Sequence, residues 1–198
     1  MGKVIVNLSM SLDGFIAGPN DEVDEVFKWY SAGDIPFHAS TGDEDLGFKL
    51  SAQSLELIEE RFRETGAVVT GRRLFDLAGA WGGKHPADVP VFVITHHILQ
   101  EWNKPGSPFT FVTDGVESAV EQARKVVGEK TINVGGADIA RQCLKAGLLD
   151  EIQIDLVPVL LGDGIRLFER TGIEPVELEV TRVITAPGVT HLHYRVVK

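Results

Sequence analysis

The chain has one cysteine, Cys143, in 198 residues. That excludes an internal disulfide framework and any zinc site built from several cysteines. No apolar run approaches the roughly 18 residues that a membrane-crossing helix needs. The first residues, MGKVIV, lack the long apolar core and cleavage site of a secretion signal. Positive charge is scarce as well. The 19 Lys and Arg stand against 29 Asp and Glu, and the resulting formal charge of −10 argues against a nucleic-acid-binding surface. Trp29, Trp81 and Trp102 are too scattered for a base-stacking platform. Hydrophobic residues make up 43 % of the chain, which excludes disorder. The expectation is a single domain over 1–198, working in the cytoplasm, with neither a membrane nor a nucleic-acid partner.

What the sequence does have is concentrated in 131–168, TINVGGADIARQCLKAGLLDEIQIDLVPVLLGDGIRLF. Thr131-Ile-Asn-Val134 is β-branched and short, as a buried strand would be. Gly135-Gly136 follows, and then the helical apolar pattern Ile139, Cys143, Leu144, with Gly147 as the stop. Two glycines between strand and helix let backbone approach a ligand, and the helix start offers free N–H groups and the positive dipole end. The matching guest is a phosphate. The plainer alternative is a tight turn with no ligand. Cys143 sits on the apolar stripe and reads as core rather than as a nucleophile.

Strands are expected at 3–9, 67–70, 90–95, 109–112, 131–134 and 151–158, and helices at 24–30, 51–64, 74–78, 116–127 and 138–146. Ser51 is the candidate N-cap of the second helix, with Leu55, Ile58 and Phe62 on one face. Two alternating segments, 176–185 and 189–196, meet at Ala186-Pro187-Gly188 and read as a terminal hairpin. The predicted class is α/β: a mixed, mostly parallel central sheet flanked by helices in three layers, with a C-terminal antiparallel hairpin. The turn-rich, acidic segment 31–49 reads as a mobile surface loop.

Two further strand ends fall where an α/β sheet binds ligands: Gly71-Arg72-Arg73 and Thr95-His96-His97. A guanidinium fork beside backbone N–H groups can hold a phosphate; the bland reading is a basic coat on an acidic protein. His191 and His193 share one strand face with Arg195. The cation disfavours a metal, and the pair is expected on the solvent side. Trp81, between Gly79-Ala80 and Gly82-Gly83, is a candidate wall near the substrate.

These motifs, together with Ser11-Leu-Asp-Gly-Phe-Ile-Ala-Gly18, Asp150-Glu-Ile and Pro158-Val-Leu-Leu-Gly-Asp-Gly164, resemble the dihydrofolate reductase-like superfamily. They are most similar to the stand-alone relatives of the riboflavin-biosynthesis reductase domain. The resemblance implies NADPH bound across the strand ends and hydride transfer to a small planar heterocycle, pteridine- or aminopyrimidine-like. By position, Gly71, Arg72 and Arg73 resemble contacts to the 2′-phosphate and pyrophosphate, and Thr95 and His96 the border of the adenine ribose. Gly135, Gly136, Ala137, Asp138 and Ile139 resemble the pyrophosphate turn. Ser9, Ile16 and Ala17 resemble the backbone positions that hold the carboxamide. Asp138 departs from a neutral turn and should repel the ligand unless it points away or caps the helix.

For catalysis, the resemblance to folate reductases, in which an acid early in the first helix assists substrate protonation, implies Asp24, with Glu25 or Asp21 as competitors and helix-start stabilisation as the alternative. Asp13 either faces the nicotinamide or stabilises its own turn. The acidic loop 31–49, with Asp34, Asp43, Glu44 and Asp45, is expected to border the substrate side of the nicotinamide and disfavour a phosphorylated ribose; the alternative is a solvated loop serving only solubility. No H-x-E with P-C-x-x-C is present, so the zinc deaminase partner of the bifunctional enzyme is absent. The second expectation is a non-catalytic NADP(H)-binding or scaffold protein of the same fold. The resemblance also implies a homodimer, for which the hairpin edge offers a surface.

Overall fold

The computed structural model describes residues 2–41, 44, 45, 47–169, 172 and 174–198. Eight strands form the main sheet: β1 (Val4–Ser11), β2 (Thr65–Gly71), β3 (Val91–Ile94), β4 (Phe109–Val112), β5 (Thr131–Gly135), β6 (Glu151–Val157), β7 (Leu178–Ala186) and β8 (Val189–Val196). Their spatial order is β7-β8-β6-β1-β5-β2-β3-β4. Every pairing from β6 to β4 is parallel, while β6–β8 and β7–β8 are antiparallel. The two-residue loop Pro187-Gly188 closes the hairpin, with Gly188 at φ +73°, a backbone that suits glycine.

Helices cover both faces. α4 (Val116–Val127) and α5 (Ala137–Lys145) pack Ala119, Val120, Ala123, Ile139, Ala140 and Cys143 against Val4, Val6, Val69, Ile132, Val134 and Ile152. α2 (Ala52–Glu64) covers the other face, where Ile58 joins Trp29, Leu50, Val157 and Val189. Its Ser51 cap accepts from the Ser54 N–H at 3.2 Å, and Leu55 and Phe62 pack as their spacing predicts. α3 (Arg72–Leu77) places Phe75 in a third cluster with Val91, Val93 and Phe109. Cys143 is fully buried, and burial raises its thiol to about 12, as befits core.

Several local expectations change. The first helix, α1 (Asp24–Phe27), is one turn long and continues as a 3₁₀ turn, Lys28–Ser31. The segment 31–49 is not featureless: Ile35–Phe37 pairs with Phe48–Leu50, and Ser40–Thr41 with Glu44–Asp45. Phe15–Ala17 pairs with Ile165–Arg166 beside the main sheet. Trp81 lies in a left-handed turn and packs edge-on against Phe75 and His85 rather than on a ligand cleft. Among the described residues no helix is long and apolar enough to cross a membrane.

Candidate functional site

The sheet opens at its centre. β1 pairs with β5 only from Val4 to Val6, yet with β6 as far as Ser11. From β5 the chain crosses β1 to reach β6, whereas from β1 it runs the other way to β2. The divergence is a switch point, where open α/β sheets leave a crevice. The Lys3 carbonyl accepts from Ile132 N–H, so odd-numbered β1 residues direct their peptide groups toward β5. Ser9 therefore turns its N–H and C=O toward the side where the ladder has ended.

A cavity of about 750 Å³ fills this opening, a volume in the range of small-molecule sites. Ser9, Ile16 and Ala17 line one end. Gly135, Gly136, Ala137, Asp138 and Ile139 line the middle. Gly71, Arg72, Arg73, Thr95 and His96 line the other end. The fold thus gathers into one cleft all the cofactor-site residues that the motifs single out.

Glycine chemistry explains the middle. Gly136 lies at φ +88°, and a Cβ built on it meets nothing closer than Leu74 at 4.0 Å, so it would project into open space. At Gly135 a Cβ would come within 2.9 Å of Leu74, and at Gly71 within 3.2 Å of Ile139. Gly136 precedes α5 with no side-chain cap, so the first N–H groups of this nine-residue helix find no partner among the described residues. The Asp138 carboxylate accepts from Gln142 Nε2 at 2.6 Å, one turn along the helix, and caps nothing. Free N–H groups, an uncapped dipole end and space where a side chain would stand fit a phosphate-bearing cofactor.

The charges are less free than the sequence implies. Arg72 Nε is bound by Asp76 at 2.7 and 2.9 Å, and Arg73 by Asp21 through Nε and NH2 at 3.2 and 2.7 Å. Arg141, one turn after Asp138, also lines the cleft, with Glu169 at 3.8 Å. Thr95 is buried; its hydroxyl donates to the His97 carbonyl at 2.9 Å, leaving His96 exposed. Val23, Phe27 and Ile165 add apolar wall. Only Arg141 had a signal in the sequence, its helical spacing from the glycine turn.

The two catalytic candidates fall outside. Asp24 is exposed on α1 and does not line the cleft. Asp13 is spent on structure: its carboxylate accepts from Ser11 Oγ at 2.6 Å and from the Leu161 and Gly162 N–H groups at 3.2 and 2.8 Å. The Ser11 hydrogen bond and the two backbone N–H groups more than offset desolvation and hold the carboxyl down at about 2. It staples the Ser11–Gly14 turn to the Leu161–Gly162 turn. Asp43 lies outside the described residues, as do the side chains of Glu44 and Asp45. None of the described residues of 31–49 lines the cleft.

The histidines correct the sequence reading most. His191 and His193 are buried, not solvent-facing, because α2 covers their side of the hairpin. Ser51 Oγ donates to Ser54 Oγ, Ser54 Oγ to His191 Nε2 at 3.0 Å, and His191 Nδ1 to Asp155 Oδ1 at 2.6 Å. Arg61 grips both Asp155 oxygens at 2.9 and 3.0 Å. Burial pushes the Asp155 carboxyl up, but Arg61 and His191 outweigh it and hold it at about 2. Serine, histidine and aspartate in this order can activate a nucleophile. With all three about 1 % exposed or less, no substrate reaches them. The network is structural, and above it Trp29 Nε1 donates to Ser9 Oγ at 2.9 Å on the cleft floor.

A family model described as RibD C-terminal domain matches residues 2–192. The chain belongs to the RibD C-terminal domain family. Among its relatives is the uncharacterized Bacillus subtilis (strain 168) protein YyaP, 26 % identical over 174 residues, covering 84 % of this chain and 80 % of that one. A Shewanella sp. PV-4 protein assigned to riboflavin biosynthesis superposes with a TM-score of 0.73 at 20 % identity, covering 99 % of both chains. Dihydrofolate reductase from Enterococcus faecalis, solved with NADP(H), superposes with a TM-score of 0.54 at 15 % identity, covering 100 % of this chain and 98 % of that one. The fold of this family member is dihydrofolate reductase-like, as its motifs imply.

Proposed function

We propose that the protein is an NADPH-dependent reductase that transfers hydride to a small planar heterocycle, pteridine- or aminopyrimidine-like. The observation that carries this reading is the cleft itself, where the uncapped Gly135–Gly136 turn, the arginine-bearing turn and the open edge of β1 meet in one cavity. When bound, NADPH supplies the hydride. Gly136 and the α5 N–H groups would receive the pyrophosphate, and Arg72 and Arg73 the 2′-phosphate. The free Ser9 peptide groups would hold the carboxamide. Val23, Phe27 and Ile165 would exclude water around the acceptor. The proton at the acceptor would come from solvent, since Asp13 and Asp24 stand apart from the cleft.

A second reading, a non-catalytic NADP(H)-binding protein, is favoured by one observation. Among the described residues, the carboxylates that line the cleft, Asp21 and Asp138, are engaged by Arg73 and Gln142 and offer no free acid. Titration with NADPH, followed by a screen of pterins and aminopyrimidines for loss of cofactor absorbance, separates the two. Turnover of any candidate supports the reductase; saturable binding without turnover across the screen supports the second reading; absence of binding removes both.

We also propose a homodimer of cytoplasmic location. Leu178, Val180 and Val183 on edge strand β7 are 40, 59 and 56 % exposed, and Val180 and Val183 stand beside Tyr194 and Leu192 on the same face. An uncharged apolar sheet face suits a second copy of an acidic chain. Sedimentation of wild type against Val180→Arg tests it, and a wild type that sediments as a monomer ends the idea.

A further inference from the structure

Each arginine that lines the cleft already faces a carboxylate of the chain, but the pairs differ in origin. Arg72 and Asp76 are one turn apart on α3. Asp21 and Arg73 are 52 residues apart and come from segments that follow β1 and β2, on either side of β5. Their contact spans the cleft end of the glycine turn. Both carboxylate oxygens are used, in the fork geometry that a guanidinium offers equally to a phosphate.

Asp21 is presented by its own turn. Its φ is +66°, a region uncommon for residues other than glycine, asparagine and aspartate. Asp21 N–H donates to Gly18 O at 3.2 Å, and Gly18 N–H to Glu22 O at 2.7 Å. The Glu22 carboxylate accepts from Asn20 N–H and Nδ2, both at 2.8 Å. Arg73 is otherwise exposed on a flexible stem, so the ordered carboxylate is the partner that fixes the guanidinium.

We propose that Asp21 is a specificity-determining residue of the cleft: it occupies Arg73 in place of the cofactor's 2′-phosphate and so sets the preference between phosphorylated and unphosphorylated dinucleotide. This rests on the reading of the cleft as an NADP(H) site. A phosphate arriving at Arg73 must displace Asp21 and then sit beside its charge. NADH, without that phosphate, leaves the pair intact.

Dissociation constants for NADPH and NADH, measured by calorimetry at low salt on wild type, Asp21→Asn, Arg73→Gln and the double variant, test the proposal. Asparagine preserves the size and tolerates the positive φ. Asp21→Asn is expected to tighten NADPH about two- to fivefold, the scale of an exposed ion pair, and to leave NADH unchanged. The gain should shrink with added salt and vanish in the Arg73→Gln background. Equal tightening of both nucleotides, no tightening, or a gain that survives Arg73→Gln overturns the assignment. A wild type that binds neither nucleotide overturns the cofactor reading instead.

Discussion

Trp29 ties the buried face of the molecule to its cleft. Its indole N–H reaches Ser9, its ring stacks on Tyr30 with centroids 3.9 Å apart, and it meets the His191 ring edge-on at 5.2 Å. Phenylalanine at 29 keeps the packing and deletes one donor. Trp29→Phe should lower stability by about 1 kcal/mol and weaken NADPH by a similar amount through a loosened Ser9. Denaturant melts and cofactor titration on the same sample check this. An unchanged NADPH affinity would confine Trp29 to packing. Arg61 presents the opposite case, since it neutralises a carboxylate that is fully enclosed. Arg61→Met should cost about 3–5 kcal/mol, because Asp155 is left charged and half-partnered. A loss below 1 kcal/mol would mean that water reaches Asp155 in the variant.

At the scale of the element, the strand–turn–helix from β5 to α5 concentrates both fold and ligand chemistry. Gly136 combines φ +88° with ψ +147°, a backbone essentially reserved for glycine. Any side chain there acts twice, by straining the turn and by entering the phosphate approach. Gly136→Ala should lower stability by about 1–3 kcal/mol and weaken NADPH more than tenfold while circular dichroism remains native-like. Wild-type affinity in a folded Gly136→Ala protein would remove the glycine turn from the site. The hairpin shows a different element-level device. The register shifts between Val180 and Arg182, and this bulge returns Val183 to the face of Val180 while Arg182 stands beside His193 and reaches Glu60 of α2 at 2.8 Å.

For the whole molecule, the buried ionisable groups predict sensitivity to acid. Partial burial lowers His85 to about 4; burial, with Arg61 and Arg182 nearby, lowers His193 to about 4, and its Nε2 has no hydrogen-bond partner among the described residues. Their folded values lie below the ordinary one of about 6.5, so the unfolded chain takes up protons first. Stability is therefore full above that value and falls as pH drops toward 4. Asp155, held at about 2, extends the loss from about 4 downward. Urea midpoints should be flat from pH 8 to about 7 and decline steadily below about 6.5. A midpoint that rises on acidification to pH 5 would contradict the lowered values of His85 and His193.

The sequence by itself determined the strands of the main sheet, the longer helices and the glycine turn, but not the short first helix or the small strand pairs at 15–17 and within 31–49. The β-branched runs, the 3.6-residue stripes and the Ser51 cap are local signals, and Gly136 adopts a backbone that its residue type announces. That is why all eight strands of the main sheet, and the cleft residues at three strand ends, were legible before any contact was known. Tertiary structure alone decided what those elements meet. Alternation places His191 and His193 on one face but does not say whether that face is covered; α2, whose Ser54 is 137 residues from His191, covers it. The same holds for charge. Asp13, Asp24, Arg72 and Arg73 have the right chemistry for an active site, yet their partners are set by which backbone N–H groups and carboxylates the folded chain brings within reach. A carboxylate's role follows from its neighbours across the fold, and these are fixed by topology rather than by spacing along the chain.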